Sequence, residues 1–186
     1  VVAFLKHCRS NFSVVSLDIE TRGGQISCIG LAPSPSEAMI IHFFAGAGSY
    51  WPTVEEEAIV WRDLAEFLEG PTEKIGQNIQ FDLFWLWKFG IHVDPRTVRQ
   101  DTMLAHHCCY PELAKGLHVL TSLYTREPYY KDEGRHWSPK MGDHQLWIYN
   151  GKDCTVTYEC SNVLEEELQD HKLQNFHEKF YRRMIA

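Results

Sequence analysis

Three short apolar runs follow one another near the start of the chain with only tight turns between them, and this spacing restricts what the chain can fold into. Val14 to Asp18 reads as a buried, β-branched strand, Gly23 and Gly24 as a turn, and Gln25 to Leu31 as a second strand. Pro33 to Ser36 makes another turn, and Ala38 to Phe44 a third strand. Turns this short join antiparallel neighbours, because a parallel connection needs a crossover of about a dozen residues or more. An antiparallel meander is therefore expected.

The pattern then changes period. Val54 to Glu69 carries Val54, Ala58, Trp61, Ala65 and Leu68 at helical spacing with acids between them, and Gly70-Pro71 ends it. Lys74 to Gly76 reads as a short fourth strand and Ile79 to Phe89 as an aromatic-rich helix stopped by Gly90. Asp101-Thr102 opens a helix through Cys109, and Gly116 to Tyr124 forms another. Pro128 to Gly142 is polar and rich in Gly and Pro, which predicts a mobile loop, and a long helical pattern runs from Gln145 to the end. Strands first, then helices around a fourth strand, predict an α/β fold with a central mixed sheet flanked by helices.

The 186 residues fit a single domain over 1–186, and the lack of an initiator Met points to a chain excised from a longer one. No run approaches the ~20 apolar residues of a membrane span, and the apolar N-terminus is too short for a secretory segment. An intracellular monomer away from membranes is expected. Cys8, Cys28, Cys108, Cys109, Cys154 and Cys160 contain no Cys-x-x-Cys pair and read as reduced core thiols. His106, His107, Cys108 and Cys109 are consecutive, so on a helix they diverge and cannot collect one ion. The formal charge of −7 argues against binding nucleic acid through bulk positive charge. It leaves room for an acidic site whose cations meet the phosphate.

Three carboxylate motifs carry chemistry. Asp18 and Glu20 close the first strand, and alternate strand residues share a face, so both acids leave one edge together. Asn78 and Asp82 lie four apart near the start of the aromatic helix, a spacing that places both on one face and also suits capping by Asn78. Tyr149 and Asp153 repeat that spacing, with Gly151 between them allowing close approach of a backbone or ligand. Asp101 reads as a helix cap and Asp94, before Pro95, as a turn residue. Tyr129-Tyr130-Lys131 and Arg135-His136-Trp137 interleave aromatics with positive charge, a composition suited to stacking on single-stranded bases.

In this order the three motifs resemble the DEDD exonuclease superfamily in its tyrosine-bearing branch, from about Val14 to about Glu167. The words Ser16 to Thr21, Gln77 to Asp82, Asp101 to Ala105 and Tyr149 to Cys154 are similar to the proofreading domain of family A DNA polymerases, phage-type ones in particular. Phe176 to Ala186 looks like the helix leading into a linked polymerase domain. The resemblance implies a ribonuclease H-like fold and 3′-5′ exonuclease action on single-stranded DNA ends. It implies that Asp18, Glu20, Asp82 and Asp153 hold two divalent cations, Mg²⁺ or Mn²⁺, with Asp18 touching both. Tyr149 would orient the attacking water, Glu20 would lie near the terminal 3′ hydroxyl and Asn78 near the substrate backbone. An exoribonuclease similar to the ribonuclease D group, and a catalytically silent docking module of a polymerase, are the alternatives.

Overall fold

The computed structural model describes residues 1–130, 138 and 142–185. The meander forms as expected: β1 (Val14–Arg22), β2 (Gln25–Ser34) and β3 (Glu37–His42) pair antiparallel. Gly23 and Gly24 turn the first hairpin with φ of 57° and 79°, a conformation that strains other residues. β6 (Glu73–Gly76) lies parallel to β1 on its other side, and β7 (Val98–Asp101) parallel to β6, so the sheet order is β3-β2-β1-β6-β7. A small hairpin, β4 (Phe44–Ala45) with β5 (Gly48–Ser49), follows the meander. Together these make the mixed sheet predicted from the element order.

The sheet is covered by helices. β2 is buried over nearly its whole length, as a strand sandwiched on both faces must be. α2 (Val54–Leu68) begins at Thr53, whose hydroxyl accepts the N–H of Glu56, and buries Val60, Leu64, Phe67 and Leu68 in the core with Leu17, Ile29 and Leu31. α3 (Gln80–Lys88), α4 (Thr102–Cys109) and α5 (Leu117–Tyr124) follow the expected segments. The long helix α6 (Asp143–Asp170) packs on β1, β2 and β3 through a stripe that includes Leu146, Asn150, Asp153, Cys154 and Thr157.

Two elements escape the sequence pattern. The N-terminus is helix α1 (Val2–Asn11), which buries Leu5 and Cys8 and ties to α2 by Arg9 to Glu66 at 2.6 Å. β7 has four residues, one apolar side chain followed by three polar ones, too little for a period to show. The C-terminus also departs from expectation. α6 ends at Asp170, Lys172 turns left-handed at φ 59°, and only short turns follow, at Gln174–Phe176, His177–Tyr181 and Arg182–Met184. Phe176 onward is therefore not a continuous lead-in helix. It folds back, with Ile185 packing on Ile79 and Val98 and the Met184 carbonyl accepting a hydrogen bond from Gln80.

All six cysteines are free thiols, and Cys8, Cys28, Cys154 and Cys160 are buried. Among the described residues no helix is long and apolar enough to cross a membrane.

Candidate active site

The strand bearing the first two acids outruns its parallel neighbour. β1 pairs with β6 only as far as Ser16 opposite Ile75, but with β2 as far as Arg22 opposite Gln25. Beyond Ser16 one edge of β1 is open, and Asp18 and Glu20 stand there, opposite Gly30 and Cys28. A bulge between Glu20 and Thr21 ends the regular register immediately after the second acid. β1 thus runs past both acids to Arg22 and places the two carboxylates within the strand and not at its end.

Two helices close on the open edge. Asp82, at the start of α3, is buried, and its Oδ1 accepts the N–H of Ile19 at 2.8 Å, the strand hydrogen bond that β6 is too short to take. From the other side α6 brings Asp153, one turn after Tyr149. Ligand oxygens of Asp18, Glu20 and Asp153 all lie within 4.8 Å of one another, the first two half-buried and the third buried. Asp82 lies outside that group but close enough to feel the Asp18 charge. Burial, then the negative charge of Asp18, pushes its pKa well above the ordinary 3.8, against the pull of the Ile19 N–H.

Asn78 departs from its expected place. α3 begins at Gln80, so Asn78 precedes the helix, exposed and left-handed at φ 57°, and neither caps it nor shares a helical face with Asp82. The capping belongs to Asp101. Its carboxylate accepts the N–H groups of Asn78 (3.1 Å), Ile79 (3.0 Å), Met103 (2.9 Å) and Leu104 (3.3 Å), clamping the start of α3 to the start of α4. Asp94 likewise takes its expected turn role, accepting from the Arg96 N–H at 2.9 Å.

Two further residues hydrogen-bond the acids from outside the cluster. Asn150 is fully buried and its Nδ2 donates to Asp18 Oδ2 at 2.6 Å and to the Asp18 carbonyl at 3.2 Å. Its place on the buried stripe of α6 was legible from the helical period, since it falls four after Leu146 and four before Cys154. Tyr130 is also buried, with its hydroxyl 2.6 Å from Asp153 Oδ1 and its ring edge-on to Tyr149, centroids 5.9 Å apart. This corrects the expectation of a base-stacking surface at Tyr129-Tyr130: Tyr129 is exposed, Tyr130 is not. Lys131 and Arg135-His136-Trp137, the rest of that expectation, lie outside the described residues.

α6 can approach so closely because β2 has a glycine where the two meet. A Cβ at Gly30 would stand 2.5 Å from both Asn150 Oδ1 and Cys154 Sγ. At Gly151 a Cβ would meet nothing nearer than the Ile40 side chain at an ordinary 3.4 Å, so the close approach falls on Gly30 instead. Burial first, then the charges of Asp18, Asp153 and Asp82, keep Cys154 protonated and inert. Burial, then the charges of Asp153, Glu20 and Asp18, drive the Tyr149 phenol far above its usual 10. At neutral pH Tyr149 therefore keeps its proton and can orient a ligand, but cannot act as a base.

A mixed sheet whose central strand carries paired acids at its open edge, met by a buried Asp and a Tyr-x-x-x-Asp helix, defines a nuclease of the ribonuclease H-like class. The 3′-5′ exonuclease family profile matches residues 3–169, and the chain belongs to that family. The fold agrees with solved structures at low identity. NrnC of Brucella melitensis with bound Mg²⁺ is 19% identical at a TM-score of 0.67, covering 94% of this chain and 82% of that one. The exoribonuclease RNase D of Escherichia coli is 18% identical at 0.74, covering 99% and 47%. Pol1 of M. smegmatis, in complex with DNA primer-template, is 18% identical at 0.63, covering 91% and 26%. No curated protein sequence matches. The family is divalent-metal dependent, and the carboxylate oxygens of Asp18, Glu20 and Asp153 are the hard donors that Mg²⁺ or Mn²⁺ prefer.

Proposed function

We propose that this domain removes nucleotides from the 3′ end of single-stranded DNA, as the proofreading exonuclease of a family A DNA polymerase, using two Mg²⁺ or Mn²⁺ ions. The observation that carries this reading is the meeting of Asp18, Glu20 and Asp153 within 4.8 Å at the one stretch of β1 left open. Asp18, Glu20, Asp82 and Asp153 would hold the ions. Bound there, a cation pair supplies an activated water and stabilises the departing 3′ oxygen.

The chain's own residues do the rest. Asn150 fixes the Asp18 carboxylate by a 2.6 Å bond, so that acid does not swing between rotamers as substrate enters. Tyr149, protonated, half-buried and hydrogen-bonded to Asp153, is assigned to orient the attacking water toward the terminal phosphodiester. Glu20 lies on the same face as Asp18 and is assigned to the terminal 3′ hydroxyl. Asn78, exposed and left-handed ahead of α3, presents a side-chain amide to the substrate backbone. The net charge of −7 agrees with a site that grips only a strand end through its cations and not a long duplex through lysines. DNA is chosen over RNA on the likeness of the words around Asp101 and Tyr149 to polymerase proofreading domains. We assign the whole chain to one monomeric domain and expect a polymerase as its covalent partner.

The test is a time course on 5′-labelled DNA and RNA oligonucleotides of matched sequence, with Mg²⁺, with EDTA, and with Asp18→Ala. A ladder shortening from the 3′ end only with metal and intact Asp18, and faster on DNA, is expected. Equal or faster loss of RNA would replace the proofreading assignment with an exoribonuclease. No cleavage with any metal would leave a docking module.

A further inference from the structure

Asp153 reaches the acidic cluster from a helix, but one of its oxygens is already engaged. Tyr130, in the segment after α5, donates its hydroxyl to Asp153 Oδ1 at 2.6 Å from a position only 3% exposed. The ring is held on several sides. It belongs to the core cluster of Leu117, Leu120, Val156 and Cys160, meets Tyr149 edge-on, and lies under the Lys152 ammonium at 5.1 Å. Lys152 is itself tied to Glu127 at 3.5 Å, so both ends of the segment leading to Tyr130 are fastened to α6. A phenol so fixed is a poor surface for a base and a good anchor for a carboxylate.

A carboxylate with one oxygen anchored can turn only about that bond. The acid is thereby held with a ligand oxygen within 4.8 Å of those of Asp18 and Glu20. Ligating carboxylates are commonly hydrogen-bonded in this way, and loss of the outer partner weakens metal binding without removing a ligand. Tyr149, one turn before Asp153 on α6, also hydrogen-bonds that acid but is assigned a different role, orienting the attacking water.

We infer that Tyr130 is a positioning residue for Asp153, holding its carboxylate in place as a metal ligand; this rests on the metal-dependent reading proposed above. Tyr130 touches neither substrate nor reacting atoms and acts only through Asp153.

The experiment compares wild type, Tyr130→Phe and Tyr149→Phe for Mn²⁺ binding by calorimetry, apo melting temperature, and turnover against Mn²⁺ concentration. Phe keeps the ring in its packing and removes only the hydroxyl. Tyr130→Phe is expected to weaken Mn²⁺ binding about 10- to 100-fold, while turnover at saturating Mn²⁺ stays near wild type. Tyr149→Phe should differ in losing turnover even at saturating Mn²⁺. In an Asp153→Asn background, Tyr130→Phe should cause no further loss of Mn²⁺ affinity, because the residue it acts through is already altered. Unchanged Mn²⁺ affinity in Tyr130→Phe overturns the inference, as does an equal loss in the Asp153→Asn background. A variant that loses its fold does so too, since the hydroxyl is then structural. Wild type that takes up no Mn²⁺ overturns the metal-dependent reading itself.

Discussion

Replacing Gly30 by alanine adds one methyl group at the point where α6 touches the sheet. That carbon would lie 2.5 Å from Cys154 Sγ and 2.5 Å from Asn150 Oδ1, both on fully buried side chains. Ordinary contacts of this kind need about 3.5 Å or more, so each must open by about 1 Å. Neither side chain has room to turn away, and the opening has to come from α6 lifting off β2. Overpacking of this kind costs about 1–3 kcal/mol, and two simultaneous clashes place it toward the upper end. For a chain of this size that is a drop of roughly 4–10 °C in apo melting temperature. Asp18 sits opposite Gly30 and holds the other end of the Asn150 amide, so the same shift stretches the 2.6 Å bond that fixes Asp18. Gly30→Ala should therefore weaken Mn²⁺ binding as well as stability, although residue 30 bears no functional group. Adding Cys154→Ala removes one of the two clashes, and the double variant should recover part of the loss. Differential scanning calorimetry with Mn²⁺ titration on wild type, both single variants and the double variant reads both effects. A Gly30→Ala protein melting within about 1 °C of wild type with unchanged affinity would refute the reasoning. So would strictly additive single and double variants, because the methyl and the sulfur would then not be meeting.

Other outcomes follow from the same structure. Asp82→Asn keeps an oxygen for the Ile19 N–H and removes an acid whose ionisation burial and Asp18 already oppose; hydrolysis should be lost while the apo-protein melts no lower than wild type, and a lower melting point would contradict the charge argument. Asn150→Ala removes the donor to Asp18, and an unfolding titration in urea should show a loss of about 1.5–3 kcal/mol, the range for a hydrogen bond to a charged group. Lys74 is buried, donates to the Gly70 carbonyl at 2.8 Å and the Thr97 hydroxyl at 3.2 Å, and burial lowers its pKa from 10.5 to about 8, against the charge of Asp94. Below about 8 it is protonated folded and unfolded alike, whereas from about 8 to 10.5 only the unfolded chain holds the proton. Wild type should therefore gain stability relative to Lys74→Met as pH rises through that window, and parallel unfolding curves at each pH would dismiss the effect.

What the sequence made legible depended on period. The meander could be read because three apolar runs sat between turns, and α2 and α6 because their buried residues recur at helical spacing. Asp18, Glu20, Tyr149 and Asp153 could be placed because period also says which residues share a face. Where period is absent, reading stopped: β7 is four residues long and its buried Gln100 and Asp101 look like loop. Asn78 shows a different limit. Its spacing to Asp82 fits a helical face, but the chain is left-handed there because Asp101 captures the N–H groups of Asn78 and Ile79 across 23 and 22 residues. A local rule cannot register a partner that distant.

The two residues that anchor the acids were missed for related reasons. Asn150 sits within the Tyr149-Asn150-Gly151 word, and its amide gains meaning only once β2 supplies Gly30 and β1 supplies Asp18 at the same point. Tyr130 lies in a polar, turn-rich stretch whose composition suggests exposure, and only the tertiary fold turns it inward onto Asp153. Acids that bind metal announce themselves in sequence because several charges are gathered at fixed spacings. The neutral donors that aim those acids come one at a time from unrelated elements, so they surface only when the fold brings each to within 2.6 Å of its carboxylate. Tests confined to the sequence motif would therefore examine the ligands and leave untouched the residues that orient them.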